Sequence, residues 1–245
     1  MVQGDQKMIA RVALLCLLAG CSGSPAVADS GAAAAAGAPD DVAAGAGGQA
    51  SSGPPPAPYA EGVVSFEPGE GAGYNQMKLP DIVLGPPQVK EDGVPSLEVL
   101  SLGSGGEIVL GFGKQVIVDG PGPDLVVFEN PFWPGGNESK VFAELGEVSV
   151  SDDGETWQTF ACDSVGDGAG HFPGCAGYTP TLKYDATTLV PLDAAQTGGD
   201  AFDLADLGMA RARFVKIHDL MTLPPSGMSS GFDLDAVGLV NVSAE

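Results

Sequence analysis

The chain has 245 residues, of which 32 are Asp or Glu and only 10 are Lys or Arg, so its formal net charge is −22 at pH 7. A surface of this charge repels the phosphates of nucleic acid and offers no basic patch for anionic lipid headgroups. The composition therefore excludes nucleic acid as an expected partner. Binding of divalent cations and simple solvation of an acidic surface are both left open.

The first residues are typical of a secretion signal. Lys7 and Arg11 precede an apolar run over residues 12–19, which is too short to span a bilayer. The run ends in the sequence LAGC, which resembles the lipobox of bacterial lipoproteins, where the signal is cut before the cysteine and the thiol is lipidated. The resemblance implies a signal peptide over residues 1–20, a membrane anchor at Cys21 and, with Ser22 following, the outer membrane and cell surface. The alternative is an ordinary secretion signal with a chance cysteine.

Residues 21–58 are almost all Ala, Gly, Ser, Pro and Asp, so they offer little to bury, and we expect a disordered linker. Residues 59–245 remain as a single domain of a size that supports a substantial core.

Short apolar runs separated by Gly and Pro make up this domain, and no long pattern of period 3.6 is present. The pattern predicts an all-β sandwich. Asp153-Gly154 is expected to form a two-residue hairpin turn. Residues 194–207 are expected to form a Gly- and Asp-rich loop with at most one helical turn. The predicted strands cover residues 63–66, 107–112, 115–118, 125–128, 147–151, 156–162, 211–218 and 232–242.

Two cysteines remain in the domain, Cys162 and Cys175, 13 residues apart around a Gly-rich loop. In an exported protein this pair predicts one disulfide. A zinc site is the weaker alternative, because only His171 lies between them as a further ligand.

Several segments occur in an order that resembles bacterial cell-surface domains of the galactose-binding-like, or discoidin-like, jelly-roll type. The resemblance covers most of residues 59–243 and implies a jelly-roll β-sandwich, a structural calcium ion and a non-catalytic binding or adhesion role. The segments are SLGSGGEIVLGFG, DGPGPDLVVFEN, VSVSDDGETWQTFAC, GCAG, GGDAFDLADLG, ARFVKIHD and GFDLDAVGLVN.

Calcium takes six to eight oxygen ligands, and acidic residues cluster in three segments of the domain. We expect these segments to meet at one rim of the sandwich. In the closing segment, the resemblance makes either Asp233 or Asp235 a calcium ligand. The candidate ligands are Asp119, Asp124, Glu129, Asn130, Asp200, Asp203, Asp233 and Asp235, with Asp206 beside them. The alternative is that these residues serve turns and caps.

Aromatic residues in the predicted loops are candidates for sugar stacking. Phe132, Trp133 and Tyr178 are the candidate ligand residues, with covering of the core ends as the alternative. The leading hypothesis is a calcium-stabilised surface module that binds a glycan. The alternatives are an envelope component that binds another protein and, less favoured, a hydrolase. The G-x-S-x-G sequence at residues 227–231 is interpreted as a chance match, because it lacks a following helix and a later histidine.

Overall fold

The computed structural model describes residues 57–187, 191–224, 227 and 229–244. The predicted signal, Cys21 and nearly all of the linker lie outside these residues. The described residues form an all-β sandwich with one short α-helix, Ala194–Thr197, and no helix among them has the length and hydrophobicity to cross a bilayer. They also include four 3-10 helices, Gln76–Lys78, Asp81–Val83, Pro134–Gly136 and Leu204–Leu207. The strands are β1 (Gly62–Glu67), β2 (Leu100–Ser101), β3 (Glu107–Gly111), β4 (Gln115–Val118), β5 (Leu125–Phe128), β6 (Gly146–Ser151), β7 (Gln158–Thr159), β8 (Asp200–Phe202), β9 (Arg211–Ala212), β10 (Phe214–Asp219), β11 (Asp233–Leu234), β12 (Ala236–Leu239) and β13 (Val242–Ala244).

One layer is an antiparallel sheet of five strands in the order β1-β3-β10-β6-β7. Alternate residues of its central strands point into the core, as the period of two requires. Ile217 of β10 lies between Ile108 of β3 and Val148 of β6, and all three are fully buried. This row of β-branched side chains fixes the register of the sheet, because a slip of one residue would expose it.

The facing layer is made of small sheets with the orders β12-β5-β8, β13-β4-β9 and β11-β2. Strand β5 is buried on both faces. Leu125 and Val127 pack in the main core, while Val126 and Phe128 pack in a second cluster with Tyr59. Burial on both faces explains why the sequence of β5 is a continuous apolar run and not an alternating one.

The sequence predicts most strands correctly, but its predictions of one loop, one turn and the closing strand differ from the structure. Strand β8 lies inside the segment expected to be a loop, and the expected closing strand is divided into β11, β12 and β13. The prediction of a two-residue hairpin turn at Asp153-Gly154 is wrong. Val150 pairs with Gln158, so residues 151–157 all lie between the paired positions. Asp153 holds this longer loop, because its Oδ1 accepts hydrogen bonds from the N–H groups of Glu155 and Thr156 at 2.8 and 2.7 Å.

Candidate functional site

The predicted metal ligands do not form one site. At one end of β5, carboxylate oxygens of Asp119, Asp124 and Asp203 lie within 4.8 Å of one another. At the other end, Glu129 and Asp233 line a separate pocket. A strand of four residues places its ends roughly 10 Å apart. The expectation that the three acidic segments meet at one rim is therefore wrong, since the two ends of β5 meet different segments.

The first group is held together by hydrogen bonds from the protein itself. Asp124 is buried, and its Oδ1 accepts from Gly120 N at 2.9 Å and from Asn241 Nδ2 at 2.8 Å. Its Oδ2 accepts from Leu204 N at 2.8 Å. Asp203 caps the following turn through Ala205 N at 2.9 Å. The spacing of this group would admit an ion, and both oxygens of Asp124 already accept hydrogen bonds from the protein.

The second group lines what we call the acidic pocket, a cavity of about 290 Å³. Its carboxylates come from Glu129, which directly follows β5, from Glu144, which precedes β6, and from Asp233, the first residue of β11. Ser229 and Ser230 add hydroxyl groups, and the rings of Phe132 and Phe142 form an apolar wall. No Lys, Arg or His is among the described residues that line it.

Glu129 is the least satisfied residue of the acidic pocket. It is 4% exposed, and its Oε1 accepts a hydrogen bond from Asp233 N at 3.1 Å. Its Oε2 is buried and has no hydrogen-bond partner of ordinary geometry, although the nearby N–H of Asn130 lowers the pKa of this carboxyl group. A buried carboxylate oxygen without a donor is costly, and it calls for a proton, a water molecule or a cation.

Asp233 is held firmly in place beside it. Its Oδ1 accepts a short hydrogen bond from the Ser101 hydroxyl, and Asn130 and Ser229 also donate to its carboxylate. The Oδ1 atom of Asn130 in turn accepts from Ser96 N at 2.6 Å. Asn130 thus orients a carboxylate of the pocket and is tied to the neighbouring loop.

Burial and mutual repulsion raise the pKa of every carboxylate in the acidic pocket. Burial raises the pKa of Glu129 well above its usual value, and the charge of Asp233 raises it further. For Glu144, burial followed by the charges of Asp233 and Asp219 raises the pKa to about 7. The pKa of Asp233 is raised by burial despite its hydrogen bonds. A cation bound in the pocket near neutral pH would therefore stabilise the charged form of these carboxylates.

The remaining predicted ligands, Asp235 and Asp200, lie in separate surroundings. Both oxygens of Asp235 accept from Gln88 N, at 3.0 and 3.1 Å, and burial raises its pKa to about 7. In Asp200, Oδ2 accepts from Gly177 N at 2.7 Å and Tyr178 N at 3.1 Å. Its Oδ1 is buried without a partner, and burial raises its pKa to about 6. Asp200 thereby fixes the backbone that carries Tyr178.

Two of the three predicted ligand aromatics come together. Trp133 and Tyr178 both line an open groove of about 550 Å³, which we call the aromatic groove. The polar groups of this groove include Glu138, Ser139 and His171. Phe132, the third predicted residue, lies on the acidic pocket instead.

A single loop separates the acidic pocket from the aromatic groove. Phe132 and Phe142 form a β-bridge at its base, with N–O distances of 3.3 and 3.0 Å, and their rings stack with centroids 5.1 Å apart. These two rings face the acidic pocket, whereas Trp133 and Val141, one residue further into the loop, line the groove. The 132–142 loop is thus shared by the two cavities.

The predicted disulfide is confirmed. Cys162 and Cys175 are bonded, and the loop that they close carries His171 into the aromatic groove. Within this loop His171 Nδ1 lies 2.7 Å from Asp167 Oδ2.

Ser229, the central residue of the G-x-S-x-G sequence, bonds to Ser101 and Asp233. The other histidine, His218, lies on β10 near Glu107. With no histidine at the serine, the described residues give no nucleophile–base pair there.

Two acidic residues of importance were not singled out by the sequence. Glu144 lines the acidic pocket. Asp219 is buried and accepts hydrogen bonds from the N–H groups of Gly105, Met221 and Phe232, which fixes the loop leading to β11. The position of Asp219 at the end of a predicted strand is a usable signal. Nothing in the sequence distinguishes Glu144 from the other acidic residues.

No protein-family model matches the chain, and none of the curated proteins matches it in sequence. The resemblance to galactose-binding-like domains therefore stays a prediction.

Proposed function

We propose that the chain is a lipid-anchored, non-catalytic binding module of the cell surface whose acidic pocket holds a calcium ion. The observation that carries this proposal is the buried Oε2 of Glu129, which has no partner and shares its pocket with two further carboxylates and no described cationic side chain. A divalent cation would supply the missing charge and lower the pKa of all three carboxylates together.

The donor set favours calcium over softer metals. The pocket offers carboxylate oxygens of Glu129, Glu144 and Asp233, with the hydroxyl groups of Ser229 and Ser230 nearby. Among the described residues, only Asp119, Asp124 and Asp203 bring three carboxylate oxygens within 4.8 Å of one another, so an ion in the acidic pocket would reach part of its carboxylates through water. Calcium prefers oxygen ligands and tolerates such irregular coordination. Zinc prefers sulfur and nitrogen. The only cysteines in the described residues form the disulfide, and neither histidine of the chain lines the pocket.

The anchor and the location follow from the N-terminal sequence. The LAGC sequence ending at Cys21 resembles a lipobox, and Ser22 favours the outer membrane. Residues 22–58 would then join this anchor to the sandwich domain. Replacing Cys21 with Ser should move the protein from the membrane fraction to the soluble fraction. Retention in the membrane fraction would contradict the anchor.

The raised pKa values also favour a second candidate function, that of a hydrolase. Two carboxyl groups in one pocket, at least one of them with a raised pKa, are what general acid–base catalysis uses. Glu129 would act as the acid and Glu144 as the base. Turnover of a glycan or ester that disappears in Glu129→Gln would favour this function over simple binding.

Calorimetric titration of the full chain in mild detergent with calcium chloride tests the leading proposal. We expect saturable binding of one ion, with an affinity at least tenfold lower in Glu129→Gln. The matched control is Asp119→Asn, which alters the acidic group at the other end of β5 and should leave the affinity unchanged. Loss of affinity in the control variant but not in Glu129→Gln, or no binding at all, would overturn the assignment.

A further inference from the structure

The aromatic groove presents two rings whose positions are fixed before any ligand arrives. The ring of Trp133 packs on Gly93, where an added Cβ would lie 1.9 Å from indole Cε3, and Trp133 N donates to Gly93 O at 3.1 Å. Tyr178 is held through its N–H by Asp200, and its ring meets the edge of Phe172 at 5.9 Å between centroids. Rings that are already immobile lose little conformational entropy when a ligand stacks on them.

Polar groups suited to hydroxyl ligands share the groove with these rings. The carboxylate of Glu138 is a strong acceptor, and the hydroxyl oxygens of Ser139 and Thr179, which bond to Asn137 and Asp200, can also accept. Asp167 occupies Nδ1 of His171, so Nε2 is the ring nitrogen that can meet a ligand. Alternation of flat apolar faces and hydroxyl groups is the chemistry of a sugar ring, and the groove offers the complement of both.

The charge and the volume of the aromatic groove restrict the class of ligand further. The formal net charge of −22, with Glu138 inside the groove, repels uronate, sulfate and phosphate groups. The volume of about 550 Å³ lies within the range of roughly 300 to 1,000 Å³ that is usual for small-ligand sites. The groove is open, so a chain can extend beyond it.

We infer that the aromatic groove binds a neutral oligosaccharide, which stacks on Trp133 and Tyr178 and directs hydroxyl groups to Glu138 and His171. This inference rests on the proposed function as a binding module and adds the class of ligand and its place. Phe132 and Phe142 wall the acidic pocket at the base of the 132–142 loop, so an ion in that pocket would lie beside the loop that presents Trp133. We therefore expect saccharide binding to be stronger with calcium than in EDTA.

The test is affinity electrophoresis and calorimetry of the full chain with soluble neutral polysaccharides, namely galactan, mannan, xylan and β-glucan. Alginate serves as the anionic comparison. We expect at least one neutral polymer to bind, alginate to be excluded, and Trp133→Ala and Tyr178→Ala each to weaken binding at least tenfold. Glu138→Gln, which keeps the volume of the side chain, provides a variant that does not disturb packing.

The chain offers a matched control for the loss of tryptophan. Trp157 lies away from the groove beside Lys216, whose Nζ is 4.8 Å from the ring centroid. Trp157→Ala should retain saccharide binding. Equal loss in Trp157→Ala and Trp133→Ala, unchanged binding in all three groove variants, or no retention by any neutral polymer would each overturn the inference.

Calcium titration of the same samples separates this inference from the proposed function. Calcium binding without saccharide binding rejects the groove and leaves the cation proposal intact. Saccharide binding that is equally strong in EDTA supports the groove and rejects its dependence on calcium. Saccharide binding without any calcium binding rejects the cation proposal alone.

Discussion

Glu129 accepts the backbone N–H of Asp233 through Oε1 at 3.1 Å, while its Oε2 is buried without a partner. The first contact joins the end of β5 to the start of β11. Because Oε2 has no partner, the fold holds the Glu129 carboxylate in place without neutralising its charge. A residue placed in this way destabilises the unliganded protein and gains stability when a cation arrives.

Glu129→Gln should therefore stabilise the unliganded domain and abolish its response to calcium. The amide can still accept from Asp233 N, and its NH₂ group can donate to the neighbouring carboxylates. In EDTA near pH 8 we expect the free energy of unfolding to rise by about 1–3 kcal/mol. Urea unfolding measures this change. With saturating calcium the order should invert, because only the wild type gains binding energy.

Glu144→Gln is the companion variant, with a smaller effect because that side chain is only half-buried. A fall in stability of Glu129→Gln in EDTA would show that the charge of Glu129 is compensated in the native state.

Stability without calcium should decrease as the pH rises from about 5 to about 8. Folding raises the pKa of Glu144 and Asp235 to about 7 and that of Asp200 to about 6, above their ordinary values near 4. The folded state therefore binds protons more tightly than the unfolded state. The resulting stability is complete below about pH 4 and is lost as the pH rises through the folded pKa values. Thermal melting in EDTA across this range checks the sign.

Calcium should flatten this dependence, because the ion replaces protons in the acidic pocket. Asp200 and Asp235 lie outside that pocket, so part of the slope should remain with calcium present. A melting temperature in EDTA that rises between pH 5 and pH 8 would contradict the raised pKa values of these carboxyl groups in the folded state.

The sequence predicts the sandwich because its information is local. The continuous run of β5 and the alternation of β6 are visible in four to six residues, and the cysteine pair needs only composition and spacing. The position of Glu144 beside Glu129 is not visible in this way, because it depends on how the 132–142 loop returns to β6. The meeting of Trp133 with Tyr178 is likewise set by tertiary packing over 45 positions of chain.

The division of the acidic segments between the two ends of β5 has the same origin. Asp119 and Asp124 resemble ligands in sequence as closely as Glu129 does, since all are acidic residues beside a strand. What distinguishes them is the supply of donors. Asp124 meets Gly120, Leu204 and Asn241, whereas Oε2 of Glu129 meets none. Two of these three donors are more than 75 residues away in the chain.

Asp124→Ala should be strongly destabilising, whereas Asp119→Ala should be nearly neutral. The first change leaves the buried N–H of Leu204 and the partly buried donors of Gly120 and Asn241 without this acceptor, for an expected loss of about 3 kcal/mol. Asp119 is exposed, so its loss should change the free energy of unfolding by less than about 0.5 kcal/mol. Urea unfolding compares the two variants. Equal effects would show that these residues act together, as ligands of one ion would.

Removal of the disulfide should weaken saccharide binding and leave calcium binding unchanged. The loop between Cys162 and Cys175 supplies His171 to the aromatic groove but no residue to the acidic pocket. Replacing both cysteines with alanine should also lower the free energy of unfolding by about 3 kcal/mol, since a loop of this length regains its freedom in the unfolded chain. Calorimetry with calcium and with the retained polysaccharide separates the two sites. Equal loss of both affinities would indicate general unfolding.

Gly93→Ala should displace the indole of Trp133, although Gly93 itself is not proposed to contact the saccharide or the calcium ion. Gly93 has a φ of +65°, and an added Cβ would lie 1.9 Å from Cε3 of the ring, so the alanine strains the backbone and pushes the indole aside. We expect a stability loss of about 1–3 kcal/mol and saccharide binding at least tenfold weaker. The chain has only two tryptophans, so fluorescence in a Trp157→Phe background reports on Trp133 alone. A shift of the emission maximum to longer wavelength is expected as the ring becomes more exposed.

Gly85→Ala is the matched control, since Gly85 has a φ of +81° but no atom within 4 Å of an added Cβ. It should reproduce the backbone strain and leave both the emission and the saccharide affinity unchanged. If the two variants bind saccharide equally well, the packing of Trp133 on Gly93 does not prepare the groove for its ligand.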